Sequence, residues 1–175
     1  MALFSLANGS QPFARFLDKT GKGTGDTNMN EDYSGGGGQE FKLTPDAGQV
    51  VRIERLIITI MDGTIVADQY GGIGGALSNG VNVFLRNGAG ETFDMLNGEA
   101  IKMNGQWPGV THDYSLGDYG SPTNKFIAFR WAFENHFGAP VMLRGDLGEE
   151  LVFKFEDDVS GLIMHRVMAD GSLRS

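Results

Sequence analysis

The sequence predicts an all-β domain, a jelly-roll-like sandwich or barrel with a glycine-rich N-terminal arm. Three observations carry that reading. Apolar, β-branched and aromatic residues alternate over short runs, most strongly in residues 50–61 and 124–135, which is the period of a strand. Asp-Gly and Asn-Gly pairs, which favour tight turns, fall between the runs. Glycine makes up 27 of the 175 residues without a triplet period, about twice the ordinary share; that suits many turns and excludes collagen.

The first 38 residues are the least regular. Phe13, Phe16 and Leu17 form a small apolar patch, Tyr33 closes a polar stretch, and four consecutive glycines occupy positions 35–38. This composition predicts an extended arm over residues 1–38, docked through its apolar side chains as a short strand or turn. A single β-sandwich domain over residues 39–175 is expected to follow. The competing reading of the first segment is a plain disordered tail, against which Tyr33 and the phenylalanines speak.

The core signal begins at QEFKL, residues 39–43. Residues 50–61, VVRIERLIITIM, hold four isoleucines and two valines and neither Gly nor Pro, which favours a long strand over a helix. Strict alternation sets Val51, Ile53 and Arg55 opposite Arg52, Glu54 and Leu56. Beyond Leu56 both faces are apolar, so that end is expected to be fully buried. Asp62-Gly63 reads as a turn and residues 65–80 as a short strand with a flexible loop. Val81, Val83 and Leu85 share one face of a strand that leads to a hairpin turn at Asn87-Gly88, with ETFDML as the returning strand. Residues 104–123 read as a long structured loop holding Trp107, His112, Tyr114 and Tyr119.

In residues 124–135, Ile127, Phe129, Trp131 and Phe133 form a core stripe, and Arg130 marks the opposite face as partly wet or partner-covered. ELVFKFED repeats the alternation, and a last strand carries His165 and Arg166. The resulting seven to nine strands, with long stretches between several of them, suit a jelly roll better than a meander. No internal repeat points to a propeller or solenoid.

Charge and composition narrow the function. Fourteen Lys and Arg against 22 Asp and Glu give a net charge of -8 with no basic patch, so nucleic acid is a poor partner. The absence of cysteine removes disulfides and thiolate chemistry. No apolar run reaches the length of a membrane span, and the first residues lack the basic segment of a secretory signal; no membrane association is expected.

Catalysis finds little support. No G-x-S-x-G elbow occurs, His112, His136 and His165 are far apart, and no His-x-His suggests a cupin-type metal site. Glu31-Asp32, Glu149-Glu150 and Asp157-Asp158 are adjacent pairs whose members point to opposite faces of a strand, so they read as solvated turns. Residues 18–26 look like a calcium loop, but Lys22 stands at a ligand position and Met29 replaces the closing glutamate. Gly71-Gly72-Ile73-Gly74-Gly75 lacks the context of a phosphate loop and reads as backbone packed closely against another chain. The chain is therefore expected not to be an enzyme, with no catalytic residue, cofactor or metal ligand. Trp107, Tyr114 and Tyr119 could stack against a sugar ring, which makes a carbohydrate-binding module the alternative function; otherwise they cover a sheet end or a neighbouring subunit.

Four segments resemble a type of small structural protein of tailed bacteriophages. They are the F-x-D-x-x-G-x-G-T-G pattern from Phe16 to Gly25, the N-x-x-Y-S pattern from Asn30 to Ser34, FKLTPDAGQVVRIERL at 41–56, and DDVSGL at 157–162. Together they span most of the chain. The resemblance implies a virion component on the outer surface of the capsid, a decoration or cement protein that binds the major capsid protein. It also implies a possible homotrimer, and it leaves a tail or connector protein as another location. On this reading Phe13, Phe16, Leu17, Tyr33, Trp107, Tyr114 and Tyr119 are the interface candidates.

Overall fold

The computed structural model describes residues 10–108, 114–118 and 124–174, and of Tyr114 and Ser115 the backbone alone. Ten strands and one short helix follow in order among these residues: β1 (Gln11–Phe16), β2 (Gln39–Leu43), β3 (Val50–Asp62), β4 (Asn82–Arg86), β5 (Thr92–Asp94), β6 (Tyr114–Asp118), β7 (Lys125–Ala132), α1 (Phe133–Phe137), β8 (Val141–Arg144), β9 (Glu150–Phe155) and β10 (Met164–Arg174). They build a six-stranded sheet in the order β1-β10-β3-β7-β6, with β8 also on β3, and a four-stranded sheet in the order β2-β9-β4-β5. All pairings are antiparallel. The two sheets enclose one apolar core, a sandwich-like arrangement.

β7 and β8 lie end to end on the same side of β3, β7 against Arg55–Asp62 and β8 against Val50–Ile53. The helix α1 makes the step between them. It stops at Gly138, whose positive φ of 75° lets its N–H donate back to the carbonyl of Glu134. β6 falls in the segment expected as a long loop, and β8 is a short strand not among those expected from the sequence.

Strict alternation along β3 fails at one point. Arg55 pairs with Asp170 and Ile53 with Gly171, so Glu54 is an extra residue in the ladder. Glu54 and Arg55 both face solvent, while Val51, Ile53, Leu56, Ile58 and Ile60 all enter the core. The bulge moves Arg55 off the inner face where period two would have placed it. Gly171 is required there, since a Cβ would sit 1.9 Å from the carbonyl oxygen of Arg52.

Residues 10–38, expected as an arm, are built into the sandwich. β1 forms an edge of the six-stranded sheet against β10, and Leu17, Met29 and Tyr33 are buried in the shared core. The backbone N–H of Met29 donates to the carbonyl of His165 at 2.7 Å, and that of Tyr33 to Asp157 at 3.1 Å. Of the apolar side chains expected to dock this segment, Phe13 and Leu17 do so on the chain's own core, while Phe16 stays exposed.

Candidate functional site

Four of the seven expected interface residues are core residues. Phe13, Leu17, Tyr33 and Trp107 are all buried. Trp107 stands between the sheets, its ring 5.9 Å from Phe129 on one and 6.1 Å from Phe153 on the other. Tyr33 packs against Phe41 and Phe155, and burial, with Glu31 nearby, pushes its hydroxyl pKa up to about 12. A tryptophan held this way does not face a glycan. Phe16 is exposed, at 39%. The side chain of Tyr114 lies outside the described residues, as do Tyr119 and His112.

Three buried polar residues, Asp18, Asp157 and Asn104, bind the chain's own backbone. Both carboxylate oxygens of Asp18 are occupied: Gly25 and Lys22 donate backbone N–H groups at 2.5 and 3.1 Å, and the Thr20 hydroxyl donates as well. Burial works to raise its pKa, yet those hydrogen bonds hold it below the usual carboxylate value. Asp157, expected in a solvated turn, is buried and accepts from the N–H groups of Ser78, Asn79 and Gly80 at 2.7–3.1 Å. Asn104 accepts from Gly71 and donates to Val66 and Gly71, which replaces the short strand expected in residues 65–80 with a loop folded around one amide. Gly71 and Gly72 of that loop pack against the chain itself, since a Cβ on Gly72 would meet the Thr64 carbonyl at 2.3 Å and one on Gly71 would meet Leu162 at 2.3 Å, whereas Gly74 and Gly75 meet nothing within 4 Å.

The outer faces of the two sheets differ in character. On the four-stranded sheet, Arg86 of β4 reaches Glu40 of β2 at 2.6 and 2.9 Å and Glu150 of β9 at 2.7 Å. Lys154 pairs with Glu156. The hydrogen bonds from Arg86 hold the Glu40 carboxyl below its ordinary range. These ion pairs flank an apolar pair, Phe84 and Val152, on the same face.

The six-stranded sheet presents two largely apolar rows on either side of a row formed by Arg166, Thr59 and Ala128. Register pairs Phe16 with Met168, Ile57 and Arg130 across β1, β10, β3 and β7; Arg166 with Thr59 and Ala128; and Met164 with Met61 and Phe126. Paired residues share a face, and the partners on the opposite face are buried. Full burial expected beyond Leu56 is therefore not found: Ile57, Thr59 and Met61 remain partly exposed. The Phe126 ring lies over Gly117 of β6, where a Cβ would approach it to 2.6 Å. At one end of the face a groove runs between β1, β3 and α1, with Arg55 paired to Asp170 at 2.7 Å and Arg52 to Glu54 at 3.4 Å.

Among the described residues no three His, Asp or Glu side chains gather in a metal-holding group. What the described residues define is a two-sheet β protein with one apolar, arginine-bearing sheet face. No protein-family model, curated protein or solved structure matches the chain.

Proposed function

We propose that this chain is a structural component of a tailed-bacteriophage virion that binds the outer surface of the capsid and reinforces contacts between its subunits. The observation that carries the reading is where the phage-like segments fall. Asp18, Asn30, Tyr33 and Asp157 belong to those segments, and each is engaged in building the sandwich: Asp18 and Asp157 close loops, Tyr33 fills the core, and the Asn30 amide donates to the carbonyl of Leu162 at 3.1 Å. Residues that resemble a structural protein here do structural work, and they leave the outer sheet face exposed for contact with a partner.

The strand order supports a jelly-roll reading. With β6 and β8 set aside, the sheets run β1-β10-β3-β7 and β2-β9-β4-β5, the order of two Greek keys folded on one another. Viral shell and lectin domains share that architecture, which by itself assigns no function. Binding only to an assembled shell stabilises the shell by mass action. A negative chain on the outside of the particle has no need to meet packaged DNA.

Quantitative mass spectrometry of purified particles of the virus that encodes the chain tests this reading. A fixed copy number in proportion to the major capsid protein is expected. Detection in infected cells but not in purified particles contradicts it.

A further inference from the structure

We infer that the outer face of the six-stranded sheet is a protein-docking surface, and that its partner presents an apolar patch carrying a carboxylate opposite Arg166. This rests on the virion reading, in which that partner is the shell-forming capsid protein.

The first argument is composition. Phe16, Met168, Ile57, Met164, Met61 and Phe126 lie together on this face by register, and three of the chain's eight methionines are among them. Methionine is soft and adapts to an opposing surface, so it is favoured where one protein packs on another. The opposite outer face, on the other sheet, surrounds one apolar pair, Phe84 and Val152, with matched ion pairs and is the more polar of the two. The contrast lies within one molecule and between two sheets of similar strand type.

The second argument is charge. The Arg166 guanidinium lies 5.9 Å from the centre of the Phe16 ring. Its Nε is buried without an acceptor, and no carboxylate among the described residues forms an ion pair with it. A guanidinium set in apolar surroundings is stabilised when a carboxylate is brought to it, and the same pair fixes the register of docking.

The third argument excludes other occupants. An isologous contact would lay this face on its own copy and offer Arg166 no carboxylate from the rows it faces, with Asp170 already held by Arg55. Four strands by seven residues make a face of roughly 20 by 23 Å, about 450 Å², smaller than the roughly 800 Å² per partner of a stable complex. A dimer free in solution is thus disfavoured, while a dense array of sites on a shell remains suited to a small contact. A polyanion is opposed by the net charge of -8.

Oxidative footprinting of the methionines tests the assignment with unmodified protein. Capsid shells lacking the chain are saturated with it, and sulfoxide formation is followed at each methionine. Met164 and Met168 are expected to be protected, while Met103, partly exposed in a loop outside this sheet, oxidises at its free rate. R166E is expected to bind shells roughly thirtyfold more weakly or worse, with R166K close to wild type; if R166E fails to fold, the wild-type footprint decides. Wild-type binding with Met164 and Met168 unprotected overturns the docking face and leaves the virion reading standing. No binding of wild type to shells overturns both. Protection that rises with concentration in shell-free protein, together with a mass of two chains, assigns the face to a second copy and overturns the inference.

Discussion

The hydroxyl of Tyr70 and Nε2 of His165 share a hydrogen bond of 2.7 Å in the core, with their rings stacked 5.7 Å apart. Tyr70 comes from the loop after β3 and His165 from β10, so the bond ties an irregular segment to the six-stranded sheet. Burial drives the His165 pKa down to about 3 from 6.5. The folded state therefore resists protonation while the unfolded chain accepts it. The stabilisation is fully present above about pH 6.5 and is lost as pH falls toward 3, at about 1.4 kcal/mol per pH unit. Denaturant unfolding from pH 7 to pH 4.5 should show that slope in the wild type and its absence in H165Q. Y70F should lose about 1–3 kcal/mol at pH 7.

Asp157 should be among the most sensitive acidic positions. D157A leaves the N–H groups of Ser78, Asn79 and Gly80 without their acceptor, costing about 3 kcal/mol or more. Thermal unfolding should begin roughly 10 °C lower, and D157N, which keeps one carbonyl oxygen, should recover part of the loss.

Trp107 separates the structural from the glycan-binding role. Its ring fills the space between Phe129 and Phe153, so W107A should cost about 3–5 kcal/mol in chemical denaturation. A glycan-binding role predicts instead a folded variant of normal stability that no longer binds a glycan array.

Two glycines should behave oppositely. A Cβ at Gly145 would lie 1.8 Å from the carbonyl oxygen of Asp46, whereas at Gly35 it would meet nothing within 4 Å. G145A should destabilise by about 2 kcal/mol or more. G35A should be neutral or raise stability by about 0.4–1 kcal/mol through the unfolded state, as equilibrium unfolding of the two variants would show.

The parts of the fold legible in the sequence are those where period and composition agree. β7 and β9 follow their alternation, as β3 does on either side of its bulge, and Arg130 marks the outer side of β7 as a face that water or a partner touches. The bulge at Glu54 was hidden because it depends on Gly171, a residue more than a hundred positions away. Asp157 looked like a turn residue because its three donors sit in a loop near residue 79, and long-range pairing of that kind leaves no local pattern. The expected interface list favoured large aromatics. In a sandwich with one shared core Phe13, Tyr33 and Trp107 go inward while Phe16 stays exposed, and the proposed docking face adds the methionines and Arg166 of the sheet exterior to it.

A cryo-electron microscopy reconstruction of the virus particle tests the central claim most directly. The account predicts density for this sandwich at repeated positions on the outer capsid surface, with Phe16, Met168 and Arg166 turned toward the shell and an acidic side chain opposite Arg166. Density confined to the tail, or capsid-bound density with the charged face of the four-stranded sheet toward the shell, would contradict it.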